Sequence, residues 1–342
     1  MTTLKKINER FERELNKHLD AFHRDTRLNN WEKIINPFVL KGGKRIRPLM
    51  FLISYLGFGG KLNSDIYQIA VALELLHHCA LAHDDLIDKS ARRRGKLSLP
   101  HRFQKSMLRT LPPNLTGSDY ALLAGDLLYT YSLWLIHESK LERDLINKAM
   151  SLILNTAMIT IIGQYAEMNF SHHPERIRRE NIDFFYGYKS AEYTFCCPLK
   201  LGVILNSGAN YLLNYIDMVG FDFGYAYQIQ DDLNDFWTEI DDGAINRITF
   251  PHFLLINKEK SENKKRISQI LSNPPINAKD REWLKELFDA KRIKEQCEEE
   301  IFNRIMGGLI LLDHEISMEF KYSRMIRHLL ANLFPCFASV IV

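Results

Sequence analysis

The sequence predicts an all-α fold, and three observations carry that prediction. Glycine and proline are sparse, at 17 and 11 of 342 residues. No run alternates apolar and polar residues between regularly spaced turns, as strands would. Long stretches instead repeat apolar residues at helical intervals. The clearest run from Ile66 to Leu86, Tyr120 to Ile136, Leu145 to Met168 and Tyr211 to Phe236. Breaks fall at Gly57-Phe58-Gly59-Gly60, Leu111-Pro112-Pro113-Asn114, His172-His173-Pro174 and Ser272-Asn273-Pro274-Pro275. No linker or low-complexity tract divides the chain. We therefore read residues 1–342 as a single domain, a bundle of about ten or more helices with connections of ordinary length.

Composition narrows the function. Hydrophobic residues make up 46%, enough for a sizeable core. A net charge of +3 is too mild for nucleic acid to be the main partner. The five cysteines, Cys79, Cys196, Cys197, Cys297 and Cys336, form no CxxC pair. An odd, scattered set reads as reduced thiols in a cytoplasmic protein. The opening segment MTTLKKINERFERELNKHL has the pattern of a charged amphipathic helix and lacks the apolar core of a secretion signal. Nothing approaches twenty uninterrupted apolar residues, so no membrane span is expected.

Two acidic clusters carry the chemistry. Asp84-Asp85-Leu86-Ile87-Asp88 closes one apolar helix pattern, and Asp231-Asp232-Leu233-Asn234-Asp235 closes another. In each, the first and last aspartates are four apart, so both carboxylates lie on one helix face. Like charges at that spacing repel, and a cation would compensate them. All-oxygen ligands suit magnesium better than zinc or copper. A single DDxxD is common on an ordinary charged helix end. Two copies, each ending an apolar helix, suggest a magnesium–diphosphate site built from two facing helices of a bundle.

Basic residues point the same way. Gly42-Gly43-Lys44-Arg45-Ile46-Arg47-Pro48 joins a flexible turn to two cations three apart, Lys44 and Arg47, and a proline able to seat a helix. Arg92-Arg93-Arg94-Gly95-Lys96 follows the first acidic cluster at once. Read as a solvated or nucleic-acid patch, that run leaves the neighbouring aspartates without a purpose. A diphosphate bridging carboxylates, metal and guanidinium groups uses both.

Assembled in order, these residues resemble a trans-prenyltransferase of the polyprenyl (isoprenyl) diphosphate synthase family, of the geranylgeranyl and farnesyl kind. The resemblance is strongest over residues 42–251. Its motifs are GGKRIRP, ELLH at 74–77, DDLID with RRG at 93–95, LLAGD at 122–126, GQYAE at 163–167, YKSAEYTF at 188–195 and YQIQDDLND at 227–235. The resemblance implies the isoprenoid synthase fold, with a central apolar cavity, working as a homodimer. It implies three magnesium ions, with Asp84, Asp88 and Asp231 as main ligands and Asp85, Asp232 and Asp235 in support. Arg93, Lys189 and Arg247 would hold an allylic diphosphate. Lys44, Arg47, His77 and Arg94 would hold isopentenyl diphosphate. Gln164, Ser190 and Gln228 match polar positions lining the reacting carbons, with Lys189, Ser190 and Gln228 nearest the chemistry. In the family, side chains before the first cluster stop chain growth. Here Cys79 and Ala80 are small, which makes Leu76 the next stop and Leu73 the one beyond. That pattern implies a product longer than farnesyl, with geranylgeranyl first.

Other residues have plainer readings. His78, Cys196 and Cys197 read as core, Asp126 as a buried helix partner, and Glu298-Glu299-Glu300 as a solvated face. The apolar tail from Leu329 to Val342 is expected to pack on the fold. One departure stands out. The family's glycine-lysine pair after the second cluster is missing from FWTEIDDGAINRITFP, and Arg247 stands where a later lysine would be. This leaves two alternatives, a terpene cyclase on the same fold and a non-catalytic partner subunit. Retention of Lys44, Arg47, His77 and Arg94 argues against the first, and retention of all six aspartates against the second.

Overall fold

The structure, a computed structural model, describes residues 3–26, 31–40, 43–93, 95–107, 111–171, 173–206, 210–237, 248–273, 276–316 and 318–341. Its helices are α1 (Thr3–Thr26), α2 (Glu32–Leu40), α3 (Ile46–Gly57), α4 (Ser64–Ile87), α5 (Leu99–Ser106), α6 (Gly117–His137), α7 (Arg143–Ser171), α8 (Arg179–Phe185), α9 (Cys197–Ile204), α10 (Leu213–Trp237), α11 (Phe250–Lys258), α12 (Ser261–Ser272), α13 (Ala278–Ala290), α14 (Ile293–His314), α15 (Phe320–Leu333) and α16 (Ala338–Ile341). A π-helix, Tyr186–Cys196, joins α8 to α9. Among the described residues, β structure is confined to a two-stranded hairpin, Arg92–Arg93 with Lys96–Leu97. The fold is all-α, as the periodicity required; α4, α6 and α7 each enclose one of the four periodic stretches, and α10 takes all of the fourth but its first two residues, which lie in a 3-10 turn. All five cysteines are free thiols, and only Cys336 is exposed.

Residue contacts group the chain into two units. One comprises Met1–Leu152 and Leu201–Gly208, the other Ile153–Lys200 and Ala209–Val342.

In the first unit α4 is the central helix, packed by α1, α3, α5 and α6. Its start is set by Asn63, whose side chain accepts from the Ile66 amide at 2.9 Å, an N-cap worth about 1 kcal/mol. Helix α1 seals one side with Phe11, Leu15 and Leu19, each fully buried and each worth about 1.5–3 kcal/mol. Helix α6 begins on a Thr116–Asp119 capping box, where the Thr116 amide donates to the Asp119 carboxylate at 2.7 Å.

In the second unit α10 is central and packs against the π-helix, α11 and α14. Two glycines four apart let the π-helix approach. A Cβ at Gly224 would lie 2.4 Å from Ala191 Cα, and one at Gly220 would lie 2.7 Å from Cys196 Sγ. The apolar tail packs within this unit. Leu333, Phe334 and Ile341 are buried, and Arg327 donates to the Ile341 carbonyl at 3.1 Å.

Among the described residues, one helix, Arg143–Phe170, is long and apolar enough to cross a membrane by length and composition alone. Scattered polar residues such as Asn155 and Thr156 break the uninterrupted run that the sequence reading sought.

Candidate active site

The first acidic cluster occupies the last turn of α4, with Asp88 at its C-cap. Carboxylates there meet the negative end of the helix dipole and need a positive partner. Arg93 supplies one. The hairpin turns at Gly95, whose φ of 73° suits glycine, and returns Arg93 to the helix. Arg93 Nε donates to Asp85 Oδ1 at 2.6 Å, and a second guanidinium nitrogen donates to Asp84 Oδ2 at 2.9 Å. Asp85 is 1% exposed and also accepts from the Leu99 amide at 3.3 Å, at the N-terminus of α5. Burial pushes the Asp85 carboxyl up, and Arg93 pulls it back. Asp85 is thus committed to protein donors, whereas Asp84 and Asp88 are only half-buried. The oxygen donors of Asp84 and Asp88, on the accessible face of a helix end, fit magnesium.

That face continues backward along α4. Leu76, Ala80 and Asp84 recur every fourth residue and are all half-buried, whereas Leu73 and Cys79 are buried. Cys79 turns toward His83, with Sγ 3.8 Å from Nδ1, and burial pushes its thiol up to about 12. His83 Nε2 lies 3.4 Å from Asp126 Oδ1. Gly125 of the LLAGD motif makes room for the ring, since a Cβ there would sit 2.4 Å from His83 Nε2. Asp126 is not the buried partner that the sequence suggested. Its side chain is 63% exposed, because Gly125 turns inward and its neighbour must turn out.

The basic loop precedes α3 in the same unit. Lys44 is exposed, while Arg47 in the first turn of α3 is 6% exposed. His77 on α4 is 9% exposed. His78 is core, as expected, with Nδ1 2.8 Å from the Glu74 carbonyl.

The second unit carries a hydrogen-bonded chain through the second cluster. Ser190 donates to Gln228 Oε1, and Gln228 Nε2 donates to Asp232 Oδ1 at 2.9 Å. Tyr186 donates to the other Asp232 oxygen and accepts from the Phe250 amide at 2.7 Å. Burial pushes the Asp232 carboxyl well above the usual carboxylate range, against these donors. Asp231, one residue earlier, is exposed. Lys189 pairs with Glu167, which is 8% exposed on α7. Gly163 permits this approach, because a Cβ there would lie 2.5 Å from the Lys189 amide. Gln164 follows it, half-buried. Arg94, Arg247 and the Asp235 side chain lie outside the described residues.

Three features escaped the sequence reading. Tyr186 as the partner of Asp232 has no motif signal. Glu167 lies inside GQYAE, yet nothing in the spacing names Lys189 as its partner. Glu300 is not simply solvated, since it accepts from Arg179 at 2.5 Å and Arg304 at 3.1 Å. A further group with metal-ligand spacing, Glu192, Cys196 and Asp217, is already bridged by Lys200, at 2.9 Å from Glu192 and 2.6 Å from Asp217.

Helices bearing two aspartate clusters, each beside basic or polar partners, define an isoprenoid synthase type of fold. The chain belongs to the polyprenyl synthetase family, whose sequence model matches residues 29–291. It is 30% identical over 194 residues to a geranylgeranyl diphosphate synthase of Saccharolobus solfataricus, covering 56% of this chain and 54% of that protein. It is 29% identical over 206 residues to a farnesyl diphosphate synthase of Micrococcus luteus, covering 59% and 65%. These alignments thus span between about half and two thirds of the relatives' lengths. A geranylgeranyl pyrophosphate synthase of Corynebacterium glutamicum, solved with isoprenyl diphosphate and magnesium, shares the fold. Its TM-score is 0.84 at 24% identity, over 97% of this chain and 99% of that one.

Proposed function

We propose that the protein is a magnesium-dependent prenyltransferase that condenses isopentenyl diphosphate, head to tail, with an allylic diphosphate. The reading rests on one observation above all. Lys44, Arg47 and His77 belong to the same unit as a carboxylate cluster that already carries its own arginine. A cyclase has no use for the first set, and an inactive subunit has no need of the second. Magnesium, three ions in this reading, supplies charge neutralisation of the leaving diphosphate. Asp84, Asp88 and Asp231 are its ligands, with Asp235 in support.

The chain's own residues do the rest. Arg93, tethered by Asp85, offers guanidinium donors to the allylic diphosphate, and Lys189 offers its ammonium. Lys44, Arg47 and His77 fix isopentenyl diphosphate at short range from the allylic carbon. Ser190 and Gln228 present oxygen lone pairs to the carbocation while locked to each other. The Cys79 thiol, pushed up to about 12, stays protonated and is a poor trap for that cation. The proton lost from the new chain goes to the released diphosphate.

The product we propose is geranylgeranyl diphosphate. The open face Leu76–Ala80–Asp84 supports it, because small Ala80 lets the chain pass and Leu76 meets it one turn later. Incubation with isopentenyl diphosphate and each allylic starter should yield this product. Cys79→Tyr should shorten it by at least one isoprene unit, and Leu76→Ala should lengthen it. An active Cys79→Tyr enzyme with an unchanged product would refute the tunnel assignment. A hydrocarbon made from an allylic diphosphate alone would refute the condensation itself.

We also propose that the protein works as a homodimer in a reducing, cytoplasmic setting. Helix α7 exposes Leu154, Met158, Ile161, Ile162 and Tyr165, an apolar row that a second copy would cover. A monomeric mass by light scattering at assay concentration would overturn this.

A further inference from the structure

The loop carrying Lys44 and Arg47 is held by a residue between them that the substrate-site reading does not use. Arg45 is 4% exposed and has a φ of 49°, in the left-handed region. That turn sends Arg45 inward while Lys44 remains exposed. Its guanidinium then bonds to three other helices. It donates to the Val39 and Leu40 carbonyls at 3.0 and 3.2 Å, at the end of α2. It donates to Glu12 on α1 at 2.8 and 3.4 Å. It donates to Glu74 on α4 at 2.5 Å.

Glu74 is 2% exposed and stands three residues before His77. Its carboxylate also lies 3.6 Å from His78 Nδ1. A buried ion pair is weak evidence for stability, since desolvation offsets most of the attraction. Its directional bonds are better suited to setting register. Here they join the two segments that present Lys44, Arg47 and His77.

We propose that Glu12, Arg45 and Glu74 form a positioning device that fixes Lys44 and Arg47 against His77. The N-terminal helix, which precedes the residues matched by the family model, is thereby part of the scaffold of the isopentenyl diphosphate site. This rests on the assignment of those three residues to that substrate. Arg45 touches no substrate and acts through its neighbours.

The test uses Arg45→Met with Glu74→Met in the full-length protein. Replacing a buried pair by apolar residues of similar volume leaves stability near neutral, so loss of register can be read apart from loss of fold. The double variant should melt near wild type. Its KM for isopentenyl diphosphate, and its Kd by calorimetry, should rise about tenfold, with kcat and the allylic KM within about twofold. Glu12→Gln, at a partner 35% exposed and unable to unfold the chain by itself, should raise the same constants about threefold. A folded double variant with unchanged isopentenyl diphosphate binding overturns the proposal. If the double variant does not fold, unchanged binding in Glu12→Gln does so. Lys44→Ala is the control for the underlying reading. If it leaves binding unchanged, the substrate assignment falls. If it weakens binding and the positioning variants do not, only the positioning device falls.

Discussion

At the end of α4 Asp85 is held by a guanidinium, whereas on α10 Asp232 is held by neutral donors. Arg93 forks between Asp84 and Asp85, while Asp232 receives Tyr186 and Gln228. In both regions the second aspartate is bonded to donors of the fold, and the first is the more exposed of the two. In the first, the committed carboxylate anchors a charge, and through Leu99 the next helix. In the second, it anchors a hydroxyl, and through Phe250 the first turn of α11. The second aspartate of the same acidic motif is thus held by charge pairing in one unit and by a neutral network in the other. Removing a partner should cost differently in each.

The largest expected effect is on turnover and should be alike in both regions. Asp84→Ala or Asp231→Ala should lower kcat by at least about a hundredfold, the scale for losing one electrostatic contact to a developing charge. Both proteins should stay folded, because Asp85 still holds Arg93 and Asp232 still holds Tyr186. Near-normal activity in either variant would remove its cluster from the metal site.

The comparison sharpens at the committed aspartates. Asp85→Ala leaves Arg93 without its closest partner, and should cost about 3 kcal/mol in a metal-free denaturant melt. This is the low end for a broken buried pair, because the Arg93 side chain is 25% exposed. Asp232→Ala leaves only neutral donors unpaired and also relieves a poorly solvated carboxylate. It should cost about 1–2 kcal/mol. Equal losses would mean that the two regions are stabilised alike.

An effect of similar size is one of pH, and it belongs to the second region. His252 caps α11, with Nδ1 2.9 Å from Thr249 Oγ1, and burial pushes its imidazole down to about 4. A folded pKa below the ordinary 6.5 means that the unfolded chain binds more protons between those values. The stability is therefore present above pH 6.5 and is lost as pH falls toward 4, by about 1.4 kcal/mol per pH unit. Melting temperatures from pH 7 to 5 should fall less for His252→Gln, which keeps a capping acceptor without the titration. Identical acid sensitivity in that variant would place the titrating group elsewhere.

Much of this was legible in the chain itself, for physical reasons that differ by element. Helix α4 could be read because it is a long apolar stretch without breakers, Ile66 to Leu86, and its end carries its own signal, Asp84-Asp85-Leu86-Ile87-Asp88. The candidate ligand pairs could be read because four-residue spacing puts two carboxylates on one face whatever surrounds them. Gly125 and Gly163 lie within the motifs and Gly224 just before one, yet only the packing shows that each admits a neighbour's ring or backbone. The roles of Arg45, Tyr186 and Glu167 were decided by tertiary structure alone. Their partners are 22 to 46 residues away, and no local period links positions so far apart. The sequence by itself determined which helices form and which faces carry acid or base. Which aspartate stays accessible and which is used up in holding the fold depends on burial and on a donor brought from elsewhere. Only the folded chain settles those two things.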